Sequence, residues 1–184
     1  MNLQEAKELF KKNIYSVEIG IHNYCNRTCA FCPLSREDVN RRVKKNITFM
    51  TDEMYLSILN QLAEIDFEGR IDFTRYHEPL ADKEAILEAV RAAKRIIPKA
   101  KININTNSDY LNKDYVQELL DAGVDNIAMQ AYLKNGTTVY DENEVFERID
   151  HICNRIGAPK INKDDHKNKD WRNFGDDFVA NVHK

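Results

Sequence analysis

The sequence predicts an α/β fold built on a parallel sheet, and three observations carry that prediction. Short runs of alternating apolar residues recur four times, each followed by a stretch with apolar positions at helical spacing. Helix or turn breakers close the units at Gly69, Pro98, Gly123 and Gly157. The first of these strands runs straight into a loop holding three of the chain's four cysteines, which puts reactive groups at a strand end.

The chain has 184 residues, 42% of them hydrophobic, enough for one domain with a core of its own. Charged residues make up 31%, in both signs, and the formal net charge is -3, so no basic surplus marks a nucleic-acid surface. No apolar run is long enough for a membrane span, and no charged-then-apolar leader opens the chain, so a cytoplasmic protein is expected. In that compartment clustered thiols serve metals more often than disulfides.

Residues 1–14 are expected to hold an amphipathic helix over 2–12, with Leu3, Ala6, Leu9 and Phe10 on one stripe. A core over 15–161 starts with a strand from Tyr15 to Ile21. The stretch 33–50 carries Arg36, Arg41, Arg42, Lys44 and Lys45 and reads as a solvated connector or a basic flap over the site. Thr51 is placed to cap a helix whose apolar face is Met54, Ile58, Leu62 and Ile65. Further strands are expected at Arg70–Thr74, Lys101–Asn105 and Asn126–Tyr132. The helices between and after them bury Ile86, Val90 and Ala93, then Tyr115, Leu119 and Leu120, then Val145, Ile149 and Ile152. Ala158 to Ile161 could begin a fifth strand. Residues 162–184 form a polar tail, in which Trp171, Phe174 and Phe178 are spaced for a short helix over 171–182 that docks on the open sheet edge.

The cysteine loop reads Cys25-Asn26-Arg27-Thr28-Cys29-Ala30-Phe31-Cys32. Three thiolates in so short a loop suit a soft metal centre. Structural zinc wants four closed ligands, and His22 or His77 could supply a fourth. An iron–sulfur cubane held by three thiolates keeps one iron open. Cys153, beside Ile152 on an apolar helix face, reads as a buried small hydrophobe.

This CxxxCxxC spacing with an aromatic before the last cysteine resembles the radical S-adenosylmethionine (SAM) superfamily. The resemblance spans about residues 15 to 157. It implies a partial TIM-like barrel of parallel (βα) units, of which four to five are visible here against the usual six. It also implies a [4Fe–4S] cluster on Cys25, Cys29 and Cys32, with SAM chelated at the open iron and cleaved reductively to methionine and a 5′-deoxyadenosyl radical. Phe31 falls where the family sets an aromatic against the adenine.

The second strand ends in Tyr76-His77-Glu78-Pro79, where the family commonly has Gly-Gly-Glu-Pro. There the backbone carbonyls and the glutamate take the hydrogen bonds of the SAM ammonium, a donor-only group. Tyr76 and His77 would offer the carbonyls and Glu78 the carboxylate. Thr106-Asn107-Ser108 resembles the family's Thr-Asn-Gly, and Gln130 falls where a polar residue lies near the SAM ribose or carboxylate. For Asn107 and Gln130 the plainer reading is a polar residue that starts a turn. Tyr24 and Tyr76 read as packing residues. The resemblance further implies a flavodoxin or ferredoxin as electron donor, one cluster, and a peptide, sugar or nucleoside substrate. No catalytic acid or base can be named. The alternative is a truncated or non-catalytic domain that binds iron–sulfur or zinc.

Overall fold

The computed structural model describes residues 2–30, 32–33, 47–132, 141–158 and 178–181. Helix α1, Leu3–Asn13, is capped by Asn2 in a reciprocal box with Glu5, the arrangement that satisfies two free N–H groups at once. Its apolar stripe is not sealed: Leu3 is 73% exposed and no residue of α1 is buried. Phe10 reaches the Phe67 ring, 6.5 Å away between centroids.

Five strands follow in the order of the chain. They are β1 (Ser16–Ile19), β2 (Arg70–Phe73), β3 (Lys101–Thr106), β4 (Asn126–Gln130) and β5 (Phe178–Asn181), each pairing in parallel with the next. The helices between them are α2 (Asp52–Glu64), α3 (Lys83–Ile96), α4 (Lys113–Ala122) and α5 (Glu142–Ile156). Sequential order with right-handed crossovers puts every helix on the same side of the sheet, as in a (βα) barrel.

Register makes the two faces chemically opposite. Val17, Ile19, Ile71, Phe73, Ile102, Ile104, Ile127 and Met129 share the helix-covered face and join one core cluster with Leu59, Val90, Leu119 and Ile149. Burying each such side chain is worth about 1.5–3 kcal/mol, so this face dominates stability. The other face carries Ser16, Glu18, Asp72, Asn103, Asn105, Asn126 and Gln130. Asp72, 2% exposed, sits between Ser16 Oγ and Asn103 Nδ2 and also accepts from Arg70 Nε at 2.8 Å, while Asn126 Nδ2 donates to Asn103. A polar ladder therefore crosses four strands.

Helix ends behave as their sequences require. Thr51, Asp82, Asn112 and Asp141 accept first-turn N–H groups, and α4 and α5 stop at the left-handed Gly123 and Gly157. Gly69 is needed for space, since an added Cβ would lie 2.4 Å from the Tyr15 carbonyl.

Three expectations need correction. On α2 the expected Leu62 is buried and Ile58 and Ile65 pack half-buried on the core, but Met54 is 57% exposed and Tyr55 and Leu59 are buried in addition, so the core-facing stripe is centred away from Met54. The sequence would start the second helix at Leu80, but Pro79–Ala81 forms a 3-10 turn, and α3 begins only after Asp82. Residues 178–181 form a strand on the edge of β4, not part of a helix. The edge is still covered, but by backbone pairing, which satisfies N–H and C=O groups that a docked helix would leave open. The rest of the expected 171–182 helix, the fifth strand at 159–161 and the basic residues from Arg36 to Lys45 lie outside the described residues.

Candidate active site

The cysteine loop leaves β1 at its carboxyl end, where barrels of this kind gather their chemistry. Residues 47–50 run back antiparallel beside its entrance: Asn23 N–H donates to Thr48 O at 3.2 Å and Met50 N–H to Ile21 O at 2.9 Å. Cys25, Cys29 and Cys32 are half-buried. Cys29 O accepts from Cys32 N–H at 3.0 Å, which draws the last two cysteines together, and Arg27 N–H points at Cys25 Sγ at 3.4 Å. Burial pushes the Cys25 thiol up to about 11, opposed by that N–H, and raises Cys29 as well, opposed by the Arg27 guanidinium. Cys153 is buried on α5, as its apolar setting suggests. Phe31 lies outside the described residues.

Glu78 follows β2 and is 2% exposed. Oε1 accepts from Thr106 Oγ1 at 2.6 Å and Leu80 N–H at 3.1 Å, and Oε2 from Asn107 N–H at 2.8 Å. Its own N–H donates to Tyr24 O at 2.9 Å. Glu78 thus ties the ends of β2 and β3 together through its carboxylate, and reaches the segment entering the cysteine loop through its backbone N–H. A carboxylate has about four acceptor sites, so three bonds leave it one. Burial raises its pKa to about 7 against the pull of the three donors.

The backbone before Glu78 answers how bulky residues replace two glycines. Among the described non-glycine residues the left-handed angles fall on Asp66, Arg75 and Ser108, so Tyr76 and His77 need none. Tyr76 is 56% exposed and does not pack as expected. Ser108, by contrast, has φ 65°, which is the physical reason a glycine suits that place.

Asn107, 4% exposed, donates from Nδ2 to Asn26 Oδ1 at 2.8 Å and accepts at Oδ1 from Asp109 N–H at 3.0 Å. It touches the cysteine loop directly. Gln130 ends β4 on the polar face, half-buried.

His22 and His77 stand with their rings at 90° and centroids 4.8 Å apart, both more than nine-tenths buried. Tyr24 N–H donates to His22 Nδ1 at 3.1 Å, which leaves the His22 proton on Nε2. His77 bonds the Thr74 backbone and has its pKa driven down to about 3 by burial and by His22. Neither Nε2 has a partner. Among the described residues no three of His, Cys, Asp and Glu converge on a point able to hold one metal ion.

The sequence reading missed Asp109, Arg148 and Arg155. Asp109 bonds Asn26 and Arg27 of the cysteine loop, and α5 reaches it through Arg148. Arg27 also reaches the Tyr132 carbonyl beyond β4, at 3.3 Å. The only sequence signal was the seven-residue spacing of Arg148 and Arg155, which stacks them on one helix face.

A family model described as Radical SAM superfamily matches residues 19–131. The S-adenosyl-L-methionine-dependent 2-deoxy-scyllo-inosamine dehydrogenase of Niallia circulans is 37% identical over 108 residues, which are 59% of this chain and 41% of that protein. A crystal structure of BtrN in complex with AdoMet and 2-DOIA superposes with TM-score 0.61 at 24% identity, over 92% of this chain and 56% of that one. A second, of selenomethionine BtrN in an open conformation, gives TM-score 0.57 at 30% identity, over 67% and 51%. The chain spans about half the length of the relatives it matches. With the family model covering well over half of its residues, and with strands, helices and cysteine loop in the family's order, the chain belongs to the radical SAM superfamily.

Proposed function

We propose that this chain is the catalytic core of a radical SAM dehydrogenase that acts on an alcohol carbon of a small, hydroxyl-rich substrate. The observation that carries it is the polar face of the sheet, where Asn105 and Gln130 lie toward the carboxyl ends of β3 and β4. Asn105 and Gln130 share that face with Ala128 between them, so a substrate there would meet mainly amide groups, over the sealed Asp72–Asn103–Asn126 ladder. The similarity to a 2-deoxy-scyllo-inosamine dehydrogenase supports an aminocyclitol or related polyol.

The donor set fits a [4Fe–4S] cluster better than one ion. Three half-buried thiols share a short loop, yet the described side chains do not converge on a single point, and a cubane takes each thiolate on a different iron. Cys25, Cys29 and Cys32 would hold it. When bound, the cluster supplies one electron to SAM and so breaks its carbon–sulfur bond. The chain's own share is to orient and shield. Glu78 would give its remaining acceptor site to the SAM ammonium, while the Tyr76 and His77 carbonyls, Asn107, Gln130 and Phe31 would line the rest of the SAM site. A cationic ammonium would also relieve the cost of ionising so buried a carboxylate. A cytosolic flavodoxin or ferredoxin would deliver the electron. No helix among the described residues is long and apolar enough to cross a membrane.

The test is anaerobic reconstitution followed by reduction with dithionite in the presence of SAM and 2-deoxy-scyllo-inosamine. About four irons per chain, 5′-deoxyadenosine and a ketone two hydrogens lighter than the substrate are expected. Bound zinc without an iron–sulfur chromophore would sink the reading. 5′-Deoxyadenosine without the ketone would keep the family chemistry and discard the substrate. Cys29→Ala should lose the iron, and Cys153→Ala should keep it.

A further inference from the structure

Helix α5 and the cysteine loop are more than a hundred residues apart in the chain, yet one carboxylate ties them together. Asp109 Oδ1 accepts from Arg27 Nη2 at 2.7 Å and from Arg148 Nη2, and Oδ2 accepts from Arg27 Nε and Asn26 Nδ2, both at 2.7 Å. The carbonyls around it are taken as well. Arg155 Nη1 donates to Asp109 O at 2.8 Å, Arg155 Nη2 to Ser108 O, and Arg148 Nη2 to Asn107 O at 3.4 Å.

Two guanidiniums, Arg27 and Arg148, share one carboxylate here and a third, Arg155, binds the carbonyls beside it, an excess of two positive charges in a half-buried setting. The side chains of Arg27, Arg148 and Asp109 are only 11%, 19% and 23% exposed. Stability alone does not favour such a cluster, because desolvation and repulsion among like charges offset most of the attraction. Its geometric effect is specific. Asn26 and Arg27 are two of the three residues between Cys25 and Cys29, and a two-pronged Arg–carboxylate pair fixes the plane of the guanidinium as well as its distance.

We propose that Asp109 is a positioning residue that sets the shape and charge of the cysteine loop, braced from behind by Arg148 and Arg155 of α5. Helix α5 is thereby part of the cluster-site support, although it supplies no ligand. The shape half stands by itself. The charge half rests on the loop being the cluster site.

The shape half is tested on the full chain without a cluster, by timing iodoacetamide alkylation of each cysteine by mass spectrometry. In Asp109→Ala and Asp109→Asn, Cys25, Cys29 and Cys32 should react faster, by about tenfold in the alanine variant. The buried Cys153 should stay slow in every variant that keeps its fold. Should Asp109→Ala expose Cys153 as well, Asp109→Asn and Arg148→Gln decide alone. Loop cysteines reacting at the parent rate in those two variants would overturn the proposal.

The charge half is tested by the midpoint potential of the reconstituted cluster. Removing a negative charge favours the more negative, reduced form, so Asp109→Asn should raise the potential, and Arg148→Gln should lower it. A merely structural role predicts no such opposition. Shifts of the same sign, or none, would remove the charge role. If the parent loads no cluster, the proposed function falls, and the alkylation rates still decide whether Asp109 holds the loop.

Discussion

The two faces of one sheet follow different rules. The helix-covered face is held by packing: Ile71, Phe73, Ile102, Ile104 and Ile127 are fully buried among apolar neighbours. The bare face is held by matched hydrogen bonds, with Asp72 and Asn103 as sealed as the core yet wholly polar. A packed face tolerates any filling of the right volume and shape, whereas a polar ladder tolerates only partners that bond. The first face makes the fold, and the second gives the sheet a polar inner side.

Four substitutions would break or sharpen that contrast. Phe73→Ala removes the largest of the fully buried side chains, so about 3–5 kcal/mol should be lost in urea unfolding. Asp72→Leu keeps volume on the other face but strands Ser16 and Asn103. It should cost about 2–4 kcal/mol, while Asp72→Asn costs much less. If the leucine variant were as stable as the parent, the ladder would be decoration.

Glu78 lies where the two faces meet, and its prediction concerns pH. Its folded pKa, about 7, exceeds the ordinary 4.5, so the folded state binds the extra proton between those values. The stabilisation is full below pH 4.5 and is lost as pH rises through 7. That contribution amounts to about 3 kcal/mol at most. Glu78→Gln should flatten this part of the stability profile. SAM affinity should fall about ten- to a hundredfold in the same variant, measured by calorimetry on reconstituted protein. The smallest effect is expected at Ser108. Ser108→Gly relieves a left-handed backbone and removes a buried hydroxyl without a partner, so stability should change by less than about 1 kcal/mol and in the favourable direction.

Much of the fold was legible because each βα unit is written locally. Helical stripes, caps such as Thr51 and stops such as Gly123 need only a few neighbouring residues. The cysteine loop was legible for the same reason. On α2 Met54 was misplaced, although Ile58, Leu62 and Ile65 do pack on the core, because Met54 and Tyr55 are both bulky and apolar enough to face it, and only packing against α3 chooses, with Tyr55 Oη donating to Ala89 O at 2.7 Å. Strand β5 was misread because Trp171, Phe174 and Phe178 have helical spacing, while what orders residues 178–181 is pairing with a strand some fifty residues earlier. Asp109 was invisible: its partners Arg27 and Arg148 lie 82 and 39 residues away, and no local pattern encodes them.

Those separations also set an order of events during synthesis. The three cysteines leave the ribosome long before the residues that hold their loop. The bonds from Asn26 and Arg27 cannot form until Asp109 has followed, and the brace from Arg148 comes later still. Domains fold as units once enough chain is available, and contacts across long loops form only after the entropy of closing those loops has been met. The loop is therefore made well before Asp109, Arg148 and Arg155, and takes its shape only after them. Iron and sulfide delivered to a half-made chain would meet three thiols on a flexible tether, so cluster insertion is best suited to a chain whose fifth helix is already in place.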